Sequence, residues 1–519
     1  MDDAGEEGAG FTTYAQVEQY FNSLALDGPS AQERIDCIVP MLVSLLPPPY
    51  VPAPEVESDS DDERFSLTSS DSEASDAGAD HYAFAAAPGD GEDRISRLPD
   101  TLLADIIHRL PTKDAGRTAA LSTHWRRVWA GTPLLVDDAH LLGAGGTSDV
   151  PVVRALSRCV AAHPGPVRGV RVTRVSFYAH EYALRRLVAD LADKDVQDLI
   201  LFNRPWPLDM PLPDDILRCA SLDRLYLGVW HFPKTAAAHP PAFPDLRELG
   251  LFHSLVPNQE LEALLAHCPK LEVLSLVMSY NDPSRLRLAS DSLKIAVDWM
   301  SSFNEVVVED APSLERLLFE SIGNRRPVKI VDAPRLEVLG ALDLDLHTLE
   351  IGGTVIKAGI NVSASNMVPS LKILAVKVQF ACNREAKMLP TLLKCFPRLE
   401  TLHIMPVPSD SPDSVHDLRF WEHRGPCECL ESHLETVIVH GVSLSEGHGV
   451  GFIRYIMRDG KALKTVAFVC SDEKVRGFRE SAEGGSGEVA ICMVAPRWSF
   501  RAAIDSSLDD PFYAVWAQA

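Results

Sequence analysis

Pro244-Asp245-Leu246-Arg247-Glu248-Leu249-Gly250-Leu251 is one copy of a unit, apolar-x-x-apolar-x-apolar, that recurs along most of this 519-residue chain. Clear copies begin at Leu222, Leu246, Leu271, Leu314, Leu336, Leu371 and Leu399, and weaker ones at Val167, Val196, Leu293, Leu434 and Leu463. In six of them a proline stands two residues ahead of the first leucine: Pro244, Pro269, Pro312, Pro334, Pro369 and Pro397. Most starts lie 21 to 29 residues apart, which is the leucine-rich-repeat period.

The end of each unit alternates, so Leu225 and Leu227, or Leu249 and Leu251, fall on one side of a short strand. That side needs a cover. Leu261, Leu264 and Leu265 before Pro269, and Leu389, Leu392 and Leu393 before Pro397, have the spacing of short amphipathic helices that would supply it. Stacking such units gives an α/β solenoid with a curved parallel sheet. The residues between the leucines, on the concave side, are then the expected specificity positions for a protein target. The longest insertion between copies runs from Pro406 to Cys429.

Downstream, Leu434-Glu435-Thr436-Val437-Ile438-Val439-His440-Gly441, then Phe452-Ile453-Arg454-Tyr455-Ile456-Met457, then Leu463-Lys464-Thr465-Val466-Ala467-Phe468 reads as strand, helix, strand. Upstream, residues 94–130 read as three short helices. Leu98, Leu102, Ile106 and Leu110 repeat at four-residue steps, and Leu103 and Ile107 widen the stripe beyond what one thin helix can hide. Pro99 suits the first turn of one helix, Pro111 stops it, Thr112 can cap the next, and Ser122 can cap a third on which Trp125, Val128 and Trp129 share a face.

The string Asp93-Arg94-Ile95-Ser96-x-Leu98-Pro99-Asp100-x-Leu102-Leu103-x-x-Ile106, then Leu110-Pro111-Thr112-Lys113-Asp114-Ala115, then Leu121-Ser122-x-x-Trp125-Arg126-x-x-Trp129 closely resembles the F-box of plant F-box proteins. The repeats resemble those of plant F-box proteins too, and 430–468 resembles the FBD region found behind such repeats. The resemblance implies a substrate-receptor subunit of a Skp–cullin–F-box ubiquitin ligase. A Skp-family adaptor, and through it a cullin, would bind the F-box, and a target of unknown identity would bind the repeats. Leu98, Pro99, Leu102, Leu103, Ile106, Leu110, Pro111, Leu121, Trp125 and Trp129 are the expected adaptor contacts. Two departures from the family are visible. Thr123-His124 stand where a basic pair is usual, and most copies lack the Asn that follows the third apolar position and ladders the loops together, so irregular repeats are expected.

The expected order is therefore a helical segment at 1–50, an acidic disordered linker at 51–92, the F-box at 93–135, repeats at 150–429, an FBD-like region at 430–470 ending the solenoid, and a cap at 471–519. In 1–50, Val17, Tyr20, Phe21 and Leu24 form one stripe, and Ile35, Ile38, Val39, Leu42 and Leu45 another. Between Pro52 and Asp93 thirteen acids face one base, Arg64, which accounts for half of the formal net charge of −24.

Charge of that sign argues against a nucleic-acid surface. The chain has no apolar run of about eighteen residues, and Met1 to Glu7 is acidic where a secretory signal is basic, so no membrane partner and a nuclear or cytoplasmic location are expected. The ten cysteines are scattered, as reduced thiols are. Cys427-Glu428-Cys429 lacks the second pair a zinc site would need, so no metal or cofactor is expected. The chain shows no nucleophile elbow, His-Glu-x-x-His helix or phosphate loop, so a non-catalytic protein is expected. The alternative is a leucine-rich-repeat scaffold unconnected to ubiquitination, in which 94–130 only caps the solenoid.

Overall fold

The computed structural model describes residues 39–50, 93–141, 149–203, 210–233, 242–255, 258–279, 285–301, 303–321, 325–407, 419–440, 447–469, 488–492 and 498–513. Most of the N-terminal helical pair and all of the acidic linker expected at 51–92 lie outside them, as does the glycine-rich stretch near Gly484.

Three short helices come first: α1 (Asp100–His108), α2 (Thr112–Thr118) and α3 (Thr123–Gly131). They lead directly into a sheet of fourteen strands, from Leu134–Asp137 to Glu488–Cys492, in which each strand pairs in parallel with the next. Apart from Val167, which opens its strand, each repeat start in the sequence falls just ahead of one of its strands, as with Arg224–Gly228, Glu248–Phe252 and Val273–Val277. The sheet thus begins before residue 150 and runs one strand past the FBD-like region, farther at both ends than the sequence suggested.

The leucines of the repeat point to one face, where they pack against a cover that changes along the chain. α4 (Asp149–Ala162) and α5 (Glu181–Ala192) come first, then a helix at Asn258–Ala266. In the middle repeats the cover is a second sheet: Arg285–Ala289, Glu305–Asp310, Arg326–Ile330 and His347–Ile351 run parallel, with Thr354–Val355 antiparallel at the edge. Helices return at Leu389–Cys395 and Gly447–Asp459. The switch is written in the period. Leu286 and Leu288, Val306 and Val308, Val328 and Ile330, Leu349 and Ile351 alternate strictly and are buried. Between them stand Arg287, Lys329 and Glu350, and Lys329 reaches Glu305 at 2.7 Å across the strands.

The missing Asn ladder has a substitute. Ser279 Oγ donates to Leu251 O at 2.8 Å, Ser301 Oγ to Leu276 O at 3.1 Å, and Trp230 Nε1 to Leu201 O at 2.8 Å. Each reaches back to the carbonyl of the preceding repeat, which is the work a ladder Asn would do. Just before each rung the backbone turns through positive φ at Val229 (63°), Met278 (48°) and Met300 (55°), and His253 (44°) precedes Ser254. One unit departs from the pattern. A bulge between Leu339 and Leu342 places Leu342, and not Ala341, in the leucine core, while Ala341 joins the opposite face.

Candidate functional site

The three-helix module builds its own small core from Leu103, Ile107, Ala115, Trp125 and Val128. Trp125 Nε1 donates to Ser96 Oγ at 2.8 Å, which pins the turn at Ile95–Arg97 across α3. Ser122 Oγ caps α3 by accepting from Trp125 N at 3.2 Å, as the sequence suggested. Thr112 does not cap α2. Pro111 holds that position, and the Thr112 hydroxyl accepts from Asp137 N at 3.1 Å, tying the helix to the first strand. His108 Nε2 donates to Pro133 O at 2.8 Å, and Thr112 N donates to His140 Nδ1 at 3.3 Å. Trp129 packs edge-to-face on His163 at 5.0 Å, with one side on the module and the other on the sheet's core.

The face opposite the leucines is not an open concave surface. Its central positions, Ile200, Tyr226, Ser275, Val297, Leu318, Ala375, His403, Ile438 and Ala467, are all buried. Two segments of the same chain lie on it. A helix at 39–45 brings Leu42 and Leu46 against the sheet, and Arg171 Nη1 donates to Pro47 O at 2.7 Å. Residues 498–513 bring Phe500 to Phe252 (5.7 Å) and Trp299 (5.6 Å), and Phe512 to His403 (5.3 Å). Arg316 donates to the carbonyls of Asp505 and Leu508, His403 Nε2 meets Asp510 Oδ2 at 2.9 Å, and Arg501 Nη2 reaches Ser44 O at 3.1 Å, joining the two arms. The expectation that between-leucine residues are exposed specificity positions is overturned for these strands. The expectation that 471–519 caps the end of the solenoid is replaced, for 498–513, by a strap across the sheet.

Comparison with known proteins follows the same divisions. The F-box domain model matches residues 95–137, the model described as "FBD-associated F-box protein At5g56370, LRR repeats" matches 184–404, and the FBD model matches 422–468. This is an F-box, leucine-rich-repeat and FBD chain. Similar proteins, all from Arabidopsis thaliana, include putative F-box/FBD/LRR-repeat protein At5g44950, 25% identical over 73% of this chain and 93% of its own length. Putative F-box/FBD/LRR-repeat protein At3g49480 is 28% identical over 79% and 98%, and F-box/LRR-repeat protein 13 is 24% identical over 75% and 91%.

Within the F-box the ten expected contact residues fall into three groups. Leu103 and Trp125 are enclosed in the module's core and cannot meet a partner without unfolding it. Ile106, Leu110, Pro111, Leu98 and Trp129 are half-buried. Pro99, Leu102 (50% exposed) and Leu121 (66% exposed) face solvent. Ile95, 57% exposed, was absent from the expected set; its apolar side chain three residues before Leu98 was the available signal. At the departure from the family pattern, His124 Nε2 pairs with Asp100 Oδ1 at 2.7 Å, which lowers the Asp100 pKa through that hydrogen bond.

Elsewhere in the F-box/FBD chain two pairs of titratable groups are packed inside the fold. Asp298 and Arg326 pair at 2.9 Å with almost no solvent contact, and burial raises the Asp298 pKa. Cys427 and Cys429 lie with sulfurs 3.3 Å apart, and the shared hydrogen bond and burial push Cys429 upward. Among the described residues no group of three His, Cys, Asp or Glu is placed to hold a metal, and no helix is long and apolar enough to cross a membrane.

Proposed function

We propose that this chain is the substrate-receptor subunit of a Skp–cullin–F-box ubiquitin ligase, acting in the cytoplasm or nucleus. The observation that carries the reading is the split between neighbouring apolar stripes of α1. Leu103 and Ile107 complete the module's interior, while Leu102 remains half exposed and the same module also exposes Leu121. A module that served only to seal the end of the sheet would have no use for that second stripe. Ile95, Leu98, Pro99, Leu102, Ile106 and Leu121 form the adaptor face in this reading. Each large apolar side chain buried there contributes roughly 1.5–3 kcal/mol before the costs of association.

The function follows by proximity. The F-box holds the ligase, the remainder of the chain holds a target, and a target lysine meets charged ubiquitin at raised effective concentration. The chain itself makes and breaks no bond. A pull-down with purified Skp-family adaptor tests this: wild type binds, and Leu102→Asp with Leu121→Asp loses binding while its thermal melting stays near wild type. Equal capture by that variant, or no capture by wild type, removes the reading and leaves the scaffold alternative, for which the hydrogen bonds joining Thr112 to Asp137 of the first strand and to His140 just beyond it already provide a sealing role.

A further inference from the structure

The arms at 39–50 and 498–513 occupy the face where a repeat protein would ordinarily hold its target, so a target has to be read elsewhere. On the outer side, α4 and α5 flank a groove of about 450 Å3 lined by Val150, Arg154, Arg158, His180, Tyr182 and Arg186. Three of these are arginines, in a chain whose net charge is −24. Arg154 and Arg158 stand one helical turn apart, both exposed, and neither has an ion-pair or hydrogen-bond partner among the described residues. The acid in the lining, Asp190, is engaged by Arg186 at 3.1 Å. Tyr182, 81% exposed, and Val150, 45% exposed, add an aromatic and an aliphatic surface to the same groove.

Unspent guanidinium donors beside exposed apolar surface suit an acidic peptide, its carboxylates alternating with aliphatic or aromatic side chains and each taken by a guanidinium fork in two parallel hydrogen bonds. We propose that the α4–α5 groove is the target-docking surface and that it takes an acidic, leucine-bearing peptide segment of the target. This rests on the receptor reading and places recognition beside the F-box end of the sheet, since α4 and α5 cover the strands that follow the module directly.

The test uses the full chain and a fluorescein-labelled peptide of repeating Asp-Glu-Leu units, followed by fluorescence anisotropy. Saturable binding that weakens as salt rises is expected, with Arg154→Glu plus Arg158→Glu reducing affinity by about tenfold or more, and Tyr182→Ser reducing it by a smaller factor. These side chains are exposed, so melting of the variants stays at wild type. Absence of saturable binding, equal binding by the double arginine variant, equal binding of the same peptide carrying Asn and Gln for the acids, or tighter binding of a single-stranded DNA oligonucleotide overturns the proposal. Adaptor capture is measured on the same samples. Loss of peptide binding with capture intact removes the groove alone, whereas peptide binding without capture removes the receptor reading.

Discussion

Leu102 and Leu103 stand one residue apart on α1, a step of about 100° around the helix, and that step separates a side chain half in solvent from one with none of its surface exposed. Substitution divides them. Leu103→Ala leaves a hole among Ile107, Trp125 and Val128 and lowers the unfolding free energy by about 2–5 kcal/mol, read from urea denaturation, whereas Leu102→Asp shifts the urea midpoint little and acts on adaptor capture. His253 offers a second contrast at this scale. Burial holds its pKa down at about 4, against an ordinary 6.5. The unfolded chain therefore binds a proton below pH 6.5 that the folded chain refuses until about pH 4, and stability falls as pH is lowered through that window. The slope from this one group is at most about 1.4 kcal/mol per pH unit. His253→Asn keeps a residue tolerant of the positive φ there, and the difference between wild type and variant in urea unfolding should grow against wild type between pH 6.5 and 4 and stay constant above it. A difference that does not vary with pH would show that the ring stays protonated inside the fold.

Strands and the cap at Ser122 were readable because they depend on local spacing, whereas the cap expected at Thr112 was not, because Pro111 takes that position. The period of the leucines located the sheet, Ser122 announced its own cap, and the clusters before Pro269 and Pro397 became helices Asn258–Ala266 and Leu389–Cys395. The second sheet carries an equally plain alternation, at Leu286 and Leu288 or Val306 and Val308, lying between copies of the longer repeat. Two features were not legible for physical reasons. A serine donates to a carbonyl as readily as an asparagine, so Ser279 and Ser301 form rungs without matching the expected residue type. Ser279→Ala with Ser301→Ala removes two hydrogen bonds between repeats and is expected to lower stability by about 1–3 kcal/mol in total, measured by urea unfolding. The arms depend on contacts between residues hundreds of positions apart, such as Arg501 with Ser44, and no local pattern encodes them. Phe500 anchors the C-terminal arm between Phe252 and Trp299. Phe500→Ala should cost about 3–5 kcal/mol and raise the rate of proteolytic cleavage within 498–513; an unchanged cleavage pattern would show that the remaining contacts, of Arg316 with two carbonyls and of Asp510 with His403 among them, hold the arm without it.

At the scale of the whole chain, the fold was legible and the burial of the face between the leucines was not. Exposed positions between leucines are a general expectation for repeat proteins, and here they became the seat of a second interior built from both termini. The −24 of the sequence, half of it placed between Pro52 and Asp93, concealed a groove of the opposite sign, because Arg154 and Arg158 on one helix meet Arg186 from another only after folding.

The first strand of the sheet, Leu134–Asp137, begins three residues after α3 ends, with its neighbours already bonded to α2. No hinge separates the two parts. Cutting away residues 93–133 to obtain a ligase-blind version would strip His108, Thr112 and Trp129 from the sheet's first edge, leaving unsatisfied strand groups that invite self-association. Light scattering of such a truncated chain should report aggregates, while the Leu102→Asp, Leu121→Asp chain stays monodisperse. If the proposed receptor reading holds, the lack of slack also sets a geometric rule: a target lysine is reached by virtue of where it sits on its own protein, because the repeats do not swing relative to the F-box.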